Sequence, residues 1–220
     1  MILPLFLDMI DQRLFPEEAR VAIQQICDAT EPEVRVLLPT LESTIALEVF
    51  VGASVIPETG EVGAAVAPDR VSWTADARRT EGVAGIAQAQ LRFTLFHELH
   101  HCARGWVKNG GKPRTSFMDG VVSEGLATAF ERDAAGRVPP WGEYPRDVRA
   151  WVAELLDLPL AAPYGEWMFR YSDGRRWIGY RAGTYIADQA IAASGQSAAQ
   201  LFHVPTYDIL KMAGFAREAR

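Results

Sequence analysis

The order of apolar and polar positions separates a strand-rich beginning from a helical remainder. Pro16 stands where a first helical residue belongs, and Glu17 and Glu18 follow at the positive end of a helix dipole. Ala19, Ala22, Ile23 and Ile26 then recur at helical spacing, which predicts an amphipathic helix over about 15–29. Past Pro32 and Pro39 the character changes. Residues 45–56 are rich in β-branched and aromatic types and stop at Pro57. Glu58-Thr59-Gly60-Glu61 has turn chemistry, and Val62–Ala67 and Arg70–Thr74 are short strand candidates around Pro68-Asp69. We expect two to four short strands, mostly antiparallel.

From about residue 85 the period is helical. One long helix is predicted over 86–104, ending before Gly105, and a polar loop, Lys108 to Arg114, follows it. Ser116 and Asp119 match the capping pattern ahead of a second helix at about 117–134. Pro139-Pro140 breaks the chain; a third helix is expected at about 146–157 and a fourth at about 176–194, after Asp173-Gly174. Strands followed by helices, without β–α–β alternation, indicate an α+β class. A chain of 220 residues is expected to form a single domain, with the N-terminal helix and strands in about 1–84 and the remaining helices in about 85–220.

Composition changes this picture little. With 49% hydrophobic and 23% charged residues, the chain can bury a core without disulfides or a structural metal. A metal site would therefore serve function rather than folding. The net charge of −6, with basic residues scattered, argues against nucleic acid or an anionic membrane as partner. Cys27 and Cys102 are expected as buried thiols rather than a disulfide scaffold. The first ten residues are apolar but lack a basic n-region and carry Asp8, and no small-residue cleavage site follows. No run approaches 18 apolar residues, so the expectation is a cytoplasmic protein without a signal peptide or membrane span.

Of four histidines, three fall in His97-Glu98-Leu99-His100-His101. On a helix, His97 and His101 lie one turn apart and about 40° apart around the axis, so both imidazoles can reach one ion. Glu98, rotated about 100° from His97, stands beside such an ion, where it can take a proton from water. His100, about 60° round from His97, faces differently. Burying these groups among Leu91, Leu95, Leu99 and Cys102 is costly unless they share a cation.

A catalytic zinc takes three protein ligands and leaves one position open. Glu124 could supply the third if an antiparallel second helix packed on the first, with Gly125 and Ala127 permitting close approach. As an exposed first-turn glutamate it would instead be favoured by the helix dipole. Glu131, two turns along the same face, is a rival ligand or a hydrogen-bond partner of a histidine, and His203 is a weaker rival.

The run Thr94-Leu95-Phe96-His97-Glu98-Leu99-His100-His101-Cys102-Ala103-Arg104 resembles the core of a bacterial family of Zn-dependent proteases filed as a domain of unknown function. The resemblance continues through Ser123-Glu124-Gly125-Leu126-Ala127, Phe130-Glu131, Gly136 to Trp141, Arg176 to Gly183, and Ile209 to Phe215. It covers about 90–215 well and the N-terminal third only loosely. It implies a zincin-like metallopeptidase fold with a gluzincin site, in which His97, His101 and Glu124 hold Zn2+ and Glu98 is the general base. The small sheet would then sit above the metal helix, with a helical C-terminal lobe.

Tyr180 or Tyr185, flanking a small-residue seam at Gly179 and Gly183, could donate to an oxyanion, and Tyr180 is favoured because Gly-Tyr-x-x-Gly belongs to the resemblance. A core tyrosine bonded to backbone would fit the same pattern. Arg181 could meet an anionic substrate end. The substrate expected is a peptide or protein, added to a sheet edge at Val62–Ala67 or Arg70–Thr74. Phe93 to Glu98 also resembles metallopeptidase domains that cleave bacterial repressors, so a dedicated processing protease is an alternative. A zinc-binding interaction protein without turnover is another.

Overall fold

In Ile2–Phe6 buried and exposed residues alternate, and this segment is a strand, β1, that the sequence did not announce. Pro4 inside it lacks a backbone donor, which an edge strand tolerates. The structure, a computed structural model, describes residues 1–7 and 15–216, so Asp8 lies outside the described residues. The chain separates into two compact units, Met1–Lys112 and Pro113–Arg220.

In the first unit β1 leads to helix α1 (Glu17–Leu37), which is longer than predicted and contains Pro32. An interior proline costs about 3 kcal/mol through a lost hydrogen bond and a ring clash. The apolar stripe explains why the helix continues, because Thr30 and Val34, flanking the proline, are buried on the same face as Ala19, Ala22, Ile23 and Cys27. Strands β2 (Ile45–Val51), β3 (Glu61–Ala67) and β4 (Arg70–Ala75) complete a four-stranded sheet in the order β1-β2-β4-β3.

The mostly antiparallel expectation is overturned here. β1 runs parallel to β2, and β2 parallel to β4, so only the β3–β4 hairpin is antiparallel and the sheet is mixed. The unread β1 creates a β1–α1–β2 crossover, a connection that parallel neighbours require. β4 lies inside the sheet, which removes Arg70–Thr74 as an edge candidate and leaves β3. The class is α+β, as expected.

The buried face of the sheet carries Ile45, Leu47, Val49, Val71, Trp73 and Ala75. Against this unit's strands pack α1 and the long metal-motif helix. That helix begins as α2 (Gly82–Ile86), passes through a π-helical turn at Ala87–Leu91, and continues as α3 (Arg92–Arg104). It ends at Gly105, whose φ of 75° gives the left-handed cap that lets the Trp106 N–H reach the His101 carbonyl.

The second unit is helical: α4 (Met118–Ala135), α5 (Val148–Leu156), α6 (Tyr164–Met168), α7 (Ile178–Ser194), α8 (Ala198–Leu201) and α9 (Thr206–Met212). Ahead of α4 only the carboxylate half of the expected capping pair forms. Asp119 accepts hydrogen bonds from the Thr115 and Ser116 N–H groups at 2.6 and 2.9 Å. α4 and α7 approach through Gly125 and Gly183, where a Cβ on either would overlap the other's backbone. Gly125 thus serves α4–α7 packing. Gly179 leaves space for Met168 of α6 instead.

Candidate metal centre

α3 presents its two motif histidines one turn apart, as a helix must. His97 Nε2 and His101 Nε2 are 3.1 Å apart, with ring planes at 77°, and both side chains are buried. Beside them, Glu98 Oε2 accepts a 2.7 Å hydrogen bond from the Ala65 N–H of β3. Strand alternation places Glu61, Gly63 and Ala65 on one face, and that face meets α3. Gly63 makes the approach possible, because a Cβ there would overlap the Thr94 methyl and come within 3.0 Å of Glu98 Oε1.

Glu61, read from the sequence as a turn residue, is a buried carboxyl of this layer. Its Oε2 accepts from Trp73 Nε1 at 2.9 Å and from Thr94 Oγ1 at 3.0 Å. Burial, reinforced by the charge of Glu98 and opposed by those hydrogen bonds, pushes the carboxyl up to about 7. Cys102 is a free thiol bonded to the Ala67 carbonyl at 3.5 Å, and burial with the Glu98 charge pushes it up to about 12. Cys27 is also free and buried, as the sequence implied.

In the second unit Glu124 is buried on α4, at 8% exposure. One helical turn before it, Gly120 receives the ring of Tyr164. Burial and the Glu124 charge push the Tyr164 phenol well above its ordinary range.

His97, His101 and Glu124 form a buried group that could hold a metal ion, each offering one ligand atom within 4.8 Å of the others. The donor set fits zinc. Two imidazole nitrogens 3.1 Å apart lie close to the roughly 3.3 Å that two ligands about 2.0–2.1 Å from one tetrahedral ion would have. Two histidines and a carboxylate are also the ligand chemistry of catalytic zinc.

The remaining candidates have these surroundings. Glu131 is buried but is not part of that group. His203 is exposed beside the Phe202 ring. His100 is wholly buried. Tyr180 packs among Trp141, Trp177 and Phe169, with ring centroids 5.5–6.0 Å away. Tyr185 Oη accepts from Arg149 at 3.3 Å and its ring meets Tyr144 edge-on. Arg181 reaches the Pro140 carbonyl at 3.4 Å. The sequence reading missed the Ala65 amide, Glu61 and Tyr164. Strand alternation was the one signal that could have found Glu61.

No curated protein and no solved structure matches the chain. A family does: residues 17–211 match its sequence model, and the chain belongs to the family described as "Predicted Zn-dependent protease (DUF2268)".

Proposed function

We propose that this chain is a zinc-dependent metallopeptidase of zincin-like fold and gluzincin arrangement, with His97, His101 and Glu124 holding the ion and Glu98 as general base. The observation that carries the reading is the buried pair of imidazole nitrogens grouped with the Glu124 carboxylate, in a chain of a family described as Zn-dependent. When bound, zinc supplies the positive charge that makes water acidic near neutral pH and polarises a carbonyl. The chain's own residues do the rest. Glu98, its Oε2 steadied by the Ala65 N–H, takes a proton from water as the hydroxide adds to the peptide carbonyl carbon. It then delivers that proton to the leaving nitrogen, so the C–N bond breaks and a carboxylic acid and an amine result, the acid ionising as its proton passes to the amine.

β3, as an edge strand beside Glu98, supports an extended peptide as substrate. Among the described residues no helix is long and apolar enough to cross a membrane. Two free buried thiols favour a reducing compartment, and we assign the cytoplasm.

Metal analysis with a peptide-library screen tests the reading. Protein purified without chelators is expected to carry about one zinc per chain, which Glu124→Ala loses and Glu98→Gln keeps. Glu98→Gln should lower kcat by about 100-fold or more. A wild-type chain that takes up no zinc when zinc is offered would overturn it.

A further inference from the structure

Six tyrosines are present, and their hydroxyls differ in how they are committed. Tyr144 donates to Asp188 at 3.0 Å, and Tyr185 accepts from Arg149. Tyr171 stacks on Trp167, and Tyr207 is 56% exposed. Tyr164 is set apart by where it stands, against the Gly120 turn of α4. Its ring is fixed on three sides, by Phe117 at 5.7 Å between centroids, by the Arg114 guanidinium 5.1 Å from the ring centroid, and by the Gly120 backbone. Its hydroxyl makes no hydrogen bond among the described residues.

The position of that free donor follows from helix geometry. A Cβ on Gly120 would lie 2.7 Å from Tyr164 Oη, so the hydroxyl occupies the space a side chain at 120 would fill. Gly120 and Glu124 share one face of α4, about 5–6 Å apart at Cβ. Helical side chains lean toward the N-terminus, which carries the Glu124 carboxylate over the turn containing Gly120. The electrostatic effect of Glu124 on the phenol agrees with this proximity.

We infer that Tyr164 is a catalytic residue of this site, donating its hydroxyl hydrogen bond to the substrate carbonyl oxygen as that oxygen gains negative charge. The inference rests on the metallopeptidase reading, and it moves the oxyanion donor from Tyr180 to a residue that no sequence motif marks. A donor held in place before the charge develops costs no reorganisation when it does. The Tyr164 proton stays on its oxygen throughout; only the hydrogen bond is made and released.

The test compares zinc-loaded wild type, Tyr164→Phe and Tyr180→Phe on a peptide cleaved by the wild type. Zinc content, melting temperature and affinity for phosphinic peptides, whose anionic tetrahedral centre mimics the charged oxygen, are measured alongside. Tyr164→Phe should keep its zinc, and its melting temperature should stay within about 2 °C of wild type. Its kcat should fall about 100-fold with KM within about 3-fold, and phosphinic peptides should bind about 10-fold or more weakly. Tyr180→Phe should change each value less than about 3-fold. Gly120→Ala is a second variant, because its methyl displaces the ring while the phenol stays in the chain; it should lose kcat in the same direction. Unchanged kcat and phosphinic affinity in Tyr164→Phe, or a loss confined to Tyr180→Phe, would overturn the assignment alone. A zinc-loaded wild type that cleaves no peptide of the library would overturn the peptidase reading and this assignment together.

Discussion

Glu61 begins β3 with its side chain 3% exposed, and its environment favours the neutral acid. In the unfolded chain its carboxyl ionises near 4.5, whereas in the fold it does so at about 7. A raised acid holds its proton in the folded state over a range where the unfolded state has released it. Its contribution is therefore complete below about 4.5 and is lost as pH rises through about 7. The shift corresponds to at most about 3 kcal/mol. Glu61→Gln keeps an acceptor for Trp73 and Thr94 but cannot ionise. Urea unfolding of both proteins in the same metal-free buffer should show the variant gaining about 1–3 kcal/mol on wild type between pH 5 and pH 8. A constant difference across that range would remove the buried acid from the account. The same residue marks where sequence reading stops at this scale. His97, Glu98 and His101 are legible because helical period fixes who shares a face. Glu61 was hidden by the turn residues before it, and its small neighbours Gly63 and Ala65 make faint the strand alternation that could have placed it. The Ala65 amide is backbone and has no signature at all. Tyr164 belongs to a five-residue helix whose place against Gly120 depends on tertiary packing alone.

An edge strand offers a peptide only the main-chain groups that its own protein leaves unpaired. The Gly60 carbonyl accepts from the Asp76 N–H, so up to the register shift after Ala65 the residues Val62 and Ala64 turn their backbone toward β4 and Glu61, Gly63 and Ala65 turn theirs outward. The Glu61 carbonyl accepts from the Ile56 N–H at 3.0 Å, and the Ala65 carbonyl from the Lys108 N–H at 3.1 Å. The Ala65 N–H is already on Glu98. Among the described residues, Gly63 thus retains both its N–H and its C=O. Given the peptidase reading, a substrate strand should add through one two-bond rung, beside Glu98, rather than along the whole edge. In a series of substrates N-methylated at one peptide nitrogen at a time, kcat/KM should fall about 10-fold or more at a single position. Losses at alternate positions over five or more residues would mean that the flanking caps open. At this scale the sequence was a fair guide to helices and a poor one to strand direction. The predicted helices at 117–134, 146–157 and 176–194 lie within about two residues of α4, α5 and α7. Parallel pairing escaped notice because β1 is five residues long and contains Pro4, so no crossover could be read from it. α1 outran its prediction because burial of Thr30 and Val34 outweighs the local penalty at Pro32.

For the molecule as a whole, the question is how much of its stability depends on metal. The first unit has a sheet covered by α1 and α3, and the second has a helical core with residues such as Phe130, Val152 and Ile186 at 0–1% exposure. Each therefore buries an apolar core of its own, and the chain should fold without zinc, unlike a small metal-stapled domain. Zinc should nevertheless stabilise it by mass action, since the unfolded chain keeps no grouped ligands. Free zinc at about 1,000 times its dissociation constant adds about 4 kcal/mol, which for a chain of this size raises the melting temperature by roughly 10 °C. Calorimetry should therefore show a cooperative transition in a chelator, moved upward by added zinc. The same zinc should leave Glu124→Ala near its chelated value, because two imidazoles alone bind far more weakly than the complete group. The starting temperature of the variant is informative as well. Glu124 is 8% exposed, so the metal-free variant escapes the cost of burying that carboxylate and gives up the contacts it makes, and its chelated melting temperature against that of wild type measures the balance. A wild-type transition that zinc does not move would mean that the three residues do not act as one site, even if each stays buried. A chelated wild type with no transition at all would instead assign the ion a folding role that the two cores argue against.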